Sequence, residues 1–164
     1  MSAASFARST RLSAVLSLLG MTSSASAEAW NAPRREFARY GVRTIVCDRS
    51  GHTSVCLGLA CRHDAFELVS AAGGGGPMEG ATTVANGRSR FTVNFVFDPK
   101  ALDLLGLAAS RAVLNGNQFS ALAQASKIRL TAGDDRKIQH VFSSEGQQRE
   151  WQRVRSMCST PRSR

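Results

Sequence analysis

Four cysteines constrain the fold of this 164-residue chain more than any other feature of its sequence. They are Cys47, Cys56, Cys61 and Cys158. An even number of cysteines in a protein that reaches an oxidising compartment is typical of paired disulfides. We therefore expect two bridges if the chain leaves the cytoplasm, each tying together segments that a free chain would keep apart.

The start of the chain has the pattern of an export signal. Arg8 and Arg11 precede a short apolar run at 12–21, and Ala25-Ser26-Ala27 supplies the small residues that a signal peptidase needs. The apolar run is half as long as the roughly 20 residues that a membrane-spanning helix requires. We therefore predict a signal peptide at 1–27, cleaved after Ala27, and no membrane span after cleavage.

The remainder, 28–164, is long enough to form one domain with a core of its own. We predict a single periplasmic or secreted domain. It keeps 19 basic and 12 acidic residues, a net charge of +7 before histidines are counted. A basic surface favours anionic partners. For an exported protein these are lipopolysaccharide, acidic glycans or a lipid surface, and we expect no nucleic acid because the arginines are scattered. Arg149, Arg153 and Arg155 in the dense C-terminal stretch are candidate anion contacts.

Strand and turn patterns rank the three pairings that four cysteines allow. The β-prone segments 42–46 and 53–55 flank turn-forming residues at 48–51, which predicts a hairpin with Cys47 and Cys56 close to facing each other. Cys61 follows Cys56 by five residues and so points to the opposite face of a regular strand. The favoured pairs are Cys47–Cys56 and Cys61–Cys158. A bridge between Cys47 and Cys158 stays open as an alternative.

A metal site is the other use that these cysteines suggest. Cys56, Cys61 and His63 lie within eight residues, with His52 nearby, and thiolates suit zinc or copper(I). The pattern is not that of a zinc finger, and there is no Cys-x-x-Cys redox pair. We therefore predict neither a metal nor a cofactor.

The rest of the chain has the pattern of an α+β domain. Strands are predicted at 66–71, 91–97, 127–131 and 138–142. The alternation at 91–97 should bury Phe91, Val93, Phe95 and Phe97. Three helices are predicted: from Asp98-Pro99 to Leu105, from a cap at Asn117 to Ser126, and from a Ser144–Gln147 capping box onward. The pattern at 107–114 is compatible with either a helix or a strand. The predicted fold is an antiparallel β-sheet or sandwich-like core with two or three short helices, one of them C-terminal, stapled by disulfides.

No catalytic set is visible in the sequence. Gly-x-Ser-x-Gly is absent, and the glycine run at 73–76 lacks the Gly-Lys-Ser/Thr that a phosphate cradle carries. His140 lies between apolar neighbours on a predicted strand, and we interpret it as a packed residue with one hydrogen bond. We predict that the chain is not an enzyme, and leave a dispersed site containing His52, His63 or His140 as the alternative.

The order of these parts resembles one family of exported proteins. A signal and the early cysteines Cys47 and Cys56 are followed by strands and by the tail LAQASKIRLTAGDDRKIQHVFSSEGQQREWQRV. This outline is similar to small exported bacterial proteins of the invasion-associated locus B type, although the chain lacks their mid-domain cysteine pair. The resemblance implies a β-rich periplasmic or secreted protein linked to envelope integrity or host contact, with no catalytic residues to carry over.

Our leading hypothesis from the sequence is an exported, non-catalytic envelope or secreted protein that acts through contacts with another protein. The alternative is a basic binding module for an anionic surface such as lipopolysaccharide or an acidic glycan. An unrecognised enzyme is the third.

Overall fold

A computed structural model describes residues 29–48, 54–62, 64–73, 78–87, 89–132 and 138–159. The predicted signal peptide lies outside these ranges. The helices within them are α1 (Arg35–Arg39), α2 (Lys100–Leu105), α3 (Gly116–Ala123) and α4 (Gln147–Ser159). The strands are β1 (Val42–Asp48), β2 (Ser54–Arg62), β3 (Ala65–Gly73), β4 (Gly80–Ala85), β5 (Arg90–Phe97), β6 (Ala108–Leu114), β7 (Lys127–Ala132) and β8 (Ile138–Ser143). None of the described helices has the length and apolar character needed to cross a membrane.

The eight strands form one antiparallel sheet in the order β1-β2-β3-β6-β5-β4-β7-β8. The sheet curls until its two edges approach, and His140 Nδ1 on β8 lies 3.7 Å from Asp48 Oδ2 on β1. The segment before α1 joins these edges. Asn31 exchanges two backbone hydrogen bonds with Ile45 of β1, and the Trp30 N–H donates to the Glu145 carbonyl beyond β8. The sheet is therefore nearly closed.

The predicted fold class is confirmed: the chain is α+β, with an antiparallel sheet, a C-terminal helix and two disulfide pairs. The described residues form four helices rather than two or three. A sandwich-like core implies two sheets packed face to face, but here all the strands belong to a single sheet. The two facing layers are therefore opposite sides of this one curled sheet.

The larger core fills the inside of the curled sheet and is covered by α3 and α4. Alternation along the strands buries one residue in two, including Leu57, Leu68, Ile128, Leu130 and Phe142. Helical spacing buries Phe119 and Leu122 on α3 and Trp151 and Val154 on α4. Trp151 lies edge-on to Trp30 at 5.4 Å between ring centroids and 5.2 Å from the ring of Phe119. These aromatic contacts hold α4 and the edge-joining segment on the same core.

A smaller core lies on the outer face, where α1 and α2 cover β1, β2, β3 and β6. It includes Tyr40, Val69, Ala71, Ala101 and Ala109. The middle of β3 is consequently buried on both faces, which explains the near-continuous apolar run that its sequence shows. The outer face of β5, β4, β7 and β8 differs, because its alternate positions are exposed and polar, as at Thr92, Asn94 and Arg129.

Helix starts and one strand differ from the sequence predictions. Asn115, not Asn117, caps α3: its Oδ1 accepts from the Gln118 N–H at 2.8 Å, and Gln118 Oε1 accepts from the Asn115 N–H at 2.9 Å. The predicted capping box at Ser144 is wrong, since the Gln147 side chain is buried and donates to the Leu122 carbonyl. The ambiguous segment 107–114 is a strand, β6.

The strand predicted at 91–97 is confirmed as β5, but its burial is less complete than expected. Val93 and Phe95 are buried, Phe91 is partly buried, and Phe97 is 37% exposed. Phe97 pairs with Ser110 at the end of the short β5–β6 contact, where the sheet no longer surrounds it. The core therefore receives two of the four side chains in full.

Candidate functional site

All four cysteines are paired in the structure. Cys47 and Cys56 are register partners on β1 and β2 with Cα atoms 4.0 Å apart. Cys61 joins β2 to Cys158 on α4, with Cα atoms 5.9 Å apart. These are the pairs that the spacing favours. Because both pairs bind secondary-structure elements to one another, their role in the described structure is to staple the sheet and its C-terminal helix.

The histidines and the other metal-ligand types do not come together. His52 and His63 lie outside the described residues. Within the described ranges, no group of three or more His, Cys, Asp or Glu side chains is arranged to hold a metal ion. His140 faces the interior of the sheet opposite Leu130 and lies beside Phe142, with ring centroids 6.4 Å apart. Its nearest carboxylate, Asp48, lies at ion-pair rather than hydrogen-bond distance.

The densest polar cluster is centred on Arg111, on the outer face of β6. Arg111 Nη1 donates to Glu67 Oε2 at 2.6 Å, Nε donates to Asp98 Oδ2 at 3.1 Å, and Nη2 donates to the Tyr40 carbonyl at 2.7 Å. The guanidinium also lies over the Tyr40 ring, 4.0 Å from its centroid. The Tyr40 hydroxyl donates to Asp98 Oδ2 at 2.7 Å.

Burial and these hydrogen bonds shift the pKa values in the Arg111 cluster. Burial, and then the hydrogen bond to Asp98, raise the pKa of Tyr40 to about 12. Burial alone would raise the pKa of Asp98, but hydrogen bonds from Tyr40, the Lys100 N–H and Arg111 outweigh it and the pKa is lowered. Hydrogen bonds within the cluster therefore favour a neutral Tyr40 hydroxyl and a charged Asp98 carboxylate, as these two pKa shifts indicate. The Arg111 cluster therefore anchors α1 and α2 to the sheet, and the charge of Arg111 is paired with Glu67 and Asp98 within it.

The predicted C-terminal anion contacts are partly neutralised by one carboxylate. Arg153 donates twice to Glu150 Oε2, at 2.7 and 3.0 Å, and once to the Arg43 carbonyl at 3.1 Å. Arg149 Nε lies 3.5 Å from Glu150 Oε1. Arg155 is exposed on the same helix. These arginines remain at the surface, but two of them share a negative partner, which weakens their attraction for an external anion.

A basic groove lies on the exposed outer face of the other half of the sheet. It has a volume of about 370 Å³ and is lined by Ala85, Gly87, Ser89, Arg90, Lys127 and Arg129. A second depression of about 150 Å³ shares three of these residues and adds Thr83, Thr131 and Gln139. We call the first set the basic groove and the added three residues its polar extension.

Strand register explains why three cations meet in the basic groove. Ala85 on β4 is the register partner of Arg90 on β5 and of Arg129 on β7, so the two arginines flank one small side chain. Lys127 precedes Arg129 by two residues and therefore points to the same face. Among the described residues that line the two depressions, none is acidic. Within the described ranges, Arg90, Lys127 and Arg129 form no ion pair.

The sequence predicts the cations that β7 contributes to this groove, but it does not predict the contribution of β5. The sequence at 127–131 alternates between polar and apolar residues, which predicts one face with Lys127, Arg129 and Thr131 and an opposite, buried face with Ile128 and Leu130. The contribution of Arg90 was not visible, because it depends on β4 lying between β5 and β7. That neighbourhood is a property of the sheet order and not of any local pattern.

No protein-family model matches the chain, and neither a curated protein nor a solved structure matches it. The function must therefore be argued from the site itself.

Proposed function

We propose that this protein is an exported, non-catalytic binding protein that holds an anionic ligand in the basic groove. The observation that carries the proposal is the convergence of Arg90, Lys127 and Arg129 on one concave face, whose described lining residues include no acidic side chain. Cations that are already paired gain little from an external anion, whereas unpaired ones can supply charge-assisted hydrogen bonds to it. The groove volume of about 370 Å³ lies within the range of sites that accept small ligands or one segment of a polymer.

Export is supported by two features. The two disulfide pairs are typical of proteins that fold in an oxidising compartment. The residues at 1–27 have the three-part pattern of a signal peptide. Delivery outside the cytoplasm would bring the groove to polyanions of the cell envelope, the partners that a basic exported protein is expected to meet.

Binding to a soluble polyanion tests the proposal. The exported protein is titrated with dextran sulfate at increasing salt, and we expect affinity to fall as salt screens the charges. Changing Arg90→Gln and Arg129→Gln together should weaken binding by about 1 to 2 kcal/mol, a factor of about 5 to 30 in Kd, because two exposed ion pairs are lost.

A matched control separates the groove from overall charge. Arg34 and Arg35 are exposed at the start of α1, and Arg34→Gln with Arg35→Gln removes the same charge from another part of the surface. We expect this variant to keep most of its affinity. An equal loss in both double variants would mean that binding depends on net charge alone and would refute a site in the groove.

Contact with another protein is the second candidate function. Val96 on β5 and Val113 on β6 are 60% and 64% exposed. Val96 is the register partner of Arg111, and Val113 follows Arg111 by two residues on β6. Both valines therefore lie on the same face of the sheet as Arg111. Apolar side chains so exposed are a feature of protein contact surfaces. A partner retained from envelope extract at high salt, and lost from a Val96→Lys, Val113→Lys variant, would favour this function over anion binding.

A further inference from the structure

The basic groove and its polar extension form two parallel rows across the strands. The first row is Arg90, Ala85 and Arg129 on β5, β4 and β7. The Cα atoms of its two arginines are two strand spacings apart, about 10 Å. The small Ala85 side chain between them leaves a floor with a cation on either side. This row can bind two negative charges on one extended ligand more readily than it can converge on a single compact ion.

The second row supplies hydrogen-bonding groups without charge. Thr83 on β4 pairs in register with Thr131 on β7, and Thr131 pairs with Gln139 on β8. This row lies two residues along the strands from the first, about 7 Å away. Within the described part of the chain, none of these three side chains forms a hydrogen bond. Hydroxyl and amide groups both donate and accept, so the row fits a ligand that carries hydroxyl groups.

The lining argues against the other anionic partners. Among the described lining residues, Ala85 has the only apolar side chain, and none is a large apolar anchor of the kind with which proteins insert into lipid surfaces. These described residues also include no aromatic side chain on which a nucleic-acid base could stack. An extended peptide usually binds by pairing with a free sheet edge, whereas this groove lies on a sheet face whose strands already pair with one another.

We propose that the ligand of the basic groove is a segment of an acidic polysaccharide, lying across β5, β4, β7 and β8. Its carboxylate or sulfate groups contact Arg90 and Arg129, and its hydroxyl groups bond to Thr83, Thr131 and Gln139. This inference rests on the proposed function and narrows its anionic ligand to one chemical class.

Binding of short oligogalacturonate to the exported protein, measured by calorimetry, tests the inference. Each hydroxyl contact should contribute about threefold to affinity, so Thr83→Val with Thr131→Val should weaken oligogalacturonate binding by about tenfold. Valine keeps the shape and the strand preference of threonine. The Thr83→Ser, Thr131→Ser variant retains both hydroxyl groups and should bind within about twofold of the original protein. Thermal unfolding of each variant verifies that it is folded.

Two controls locate the effect and identify its chemistry. Thr92 is the register partner of Thr83 on β5 but does not line either depression, so Thr92→Val should leave the affinity nearly unchanged. Poly-L-glutamate of matched charge has carboxylates without hydroxyl groups. It should bind more weakly than oligogalacturonate, and the Thr83→Val, Thr131→Val variant should bind it as well as the original protein does.

The outcomes separate this inference from the proposed function. If poly-L-glutamate binds as well as the oligosaccharide, or if phosphatidylglycerol vesicles bind and the oligosaccharide does not, the polysaccharide assignment is overturned. The proposed function survives in both cases if Arg90→Gln, Arg129→Gln weakens the binding that is seen by the same factor of about 5 to 30, while Arg34→Gln, Arg35→Gln does not. If no anionic probe binds through these arginines, the proposed function and the inference both fail.

Discussion

Replacing Tyr40 with phenylalanine tests whether the Arg111 cluster contributes the stability that its geometry implies. Tyr40 is the only tyrosine in the chain. Its hydroxyl donates to Asp98 Oδ2 at 2.7 Å and accepts from Arg111 Nε at 3.1 Å. Phenylalanine keeps the ring beneath the guanidinium and removes only these two bonds. Because hydrogen bonds to charged groups contribute about 1.5 to 3 kcal/mol, Tyr40→Phe should lower the free energy of unfolding by about that amount at neutral pH.

The same hydroxyl gives this difference a pH dependence of known sign. Burial raises the pKa of Tyr40 from 10.0 to about 12 in the folded protein. The unfolded chain releases this proton near pH 10 while the folded chain still holds it. The contribution of Tyr40 is therefore complete below about pH 10 and is lost as the pH rises to about 12, by about 3 kcal/mol in total. The stability advantage of the original protein over Tyr40→Phe should shrink across this interval.

Two measurements verify the expected behaviour. Near-ultraviolet absorbance of tyrosinate reports the one phenol directly, since the two tryptophans do not ionise. Urea denaturation of both proteins at successive alkaline pH values gives the stability difference, and titration of lysines and arginines cancels between them. Ionisation of the folded protein near pH 10, or a stability difference that stays constant between pH 10 and 12, would refute the account of a buried, hydrogen-bonded hydroxyl.

Two further changes test the staple and the closure of the sheet. Cys61→Ser with Cys158→Ser removes a disulfide between residues 97 apart, and loop entropy predicts that the free energy of unfolding falls by about 4.7 kcal/mol. Cys47→Ser with Cys56→Ser removes one between residues 9 apart, for which the predicted loss is about 2.6 kcal/mol. Urea denaturation would reveal a contrary order of the two losses. Gly146→Ala should lower the melting temperature more than Gly80→Ala, because both glycines have φ near +72° but only at Gly146 would a Cβ lie 3.1 Å from the Trp30 carbonyl oxygen. Equal shifts would contradict a role for this close approach in joining the sheet edges.

Local patterns predicted the parts of the fold whose partners are near in sequence. The hairpin of β1 and β2 follows from β-prone segments around a turn, and the opposite facing of Cys56 and Cys61 follows from their odd separation. Trp151 and Val154 are three residues apart, a helical spacing that predicts one buried face, and both are buried on α4. In each case the deciding interaction is a periodicity or a turn that a short segment carries by itself.

Elements that depend on distant partners were not predicted. The strand β4, with sequence GATTVA, has two small alanines on its outer face and alternates too weakly to be recognised. It becomes a strand because it lies between β5 and β7. The short helix α1 buries no residue of its own and is held through Tyr40, which follows it, by the Arg111 cluster. Local sequence does not reveal either dependence, because β7 follows β4 only after β5, α2, β6 and α3, and Arg111 lies 71 residues after Tyr40.

The near closure of the sheet limits the ways in which this protein can bind a partner. Sheet proteins often bind partners by adding a strand to a free edge, with backbone hydrogen bonds supplying the affinity. Here the edge strand β1 is engaged by Asn31, and Trp30 extends from that contact to the residues beyond β8. These contacts occupy part of the edge that an added strand would need, so we expect recognition to depend on side chains of the sheet face. α1 and α2 cover one half of the outer face, and there the charge of Arg111 is paired with Glu67 and Asp98. The other half carries Arg90, Lys127 and Arg129, which form no ion pair with the described residues. We therefore expect an anionic ligand to bind to that half.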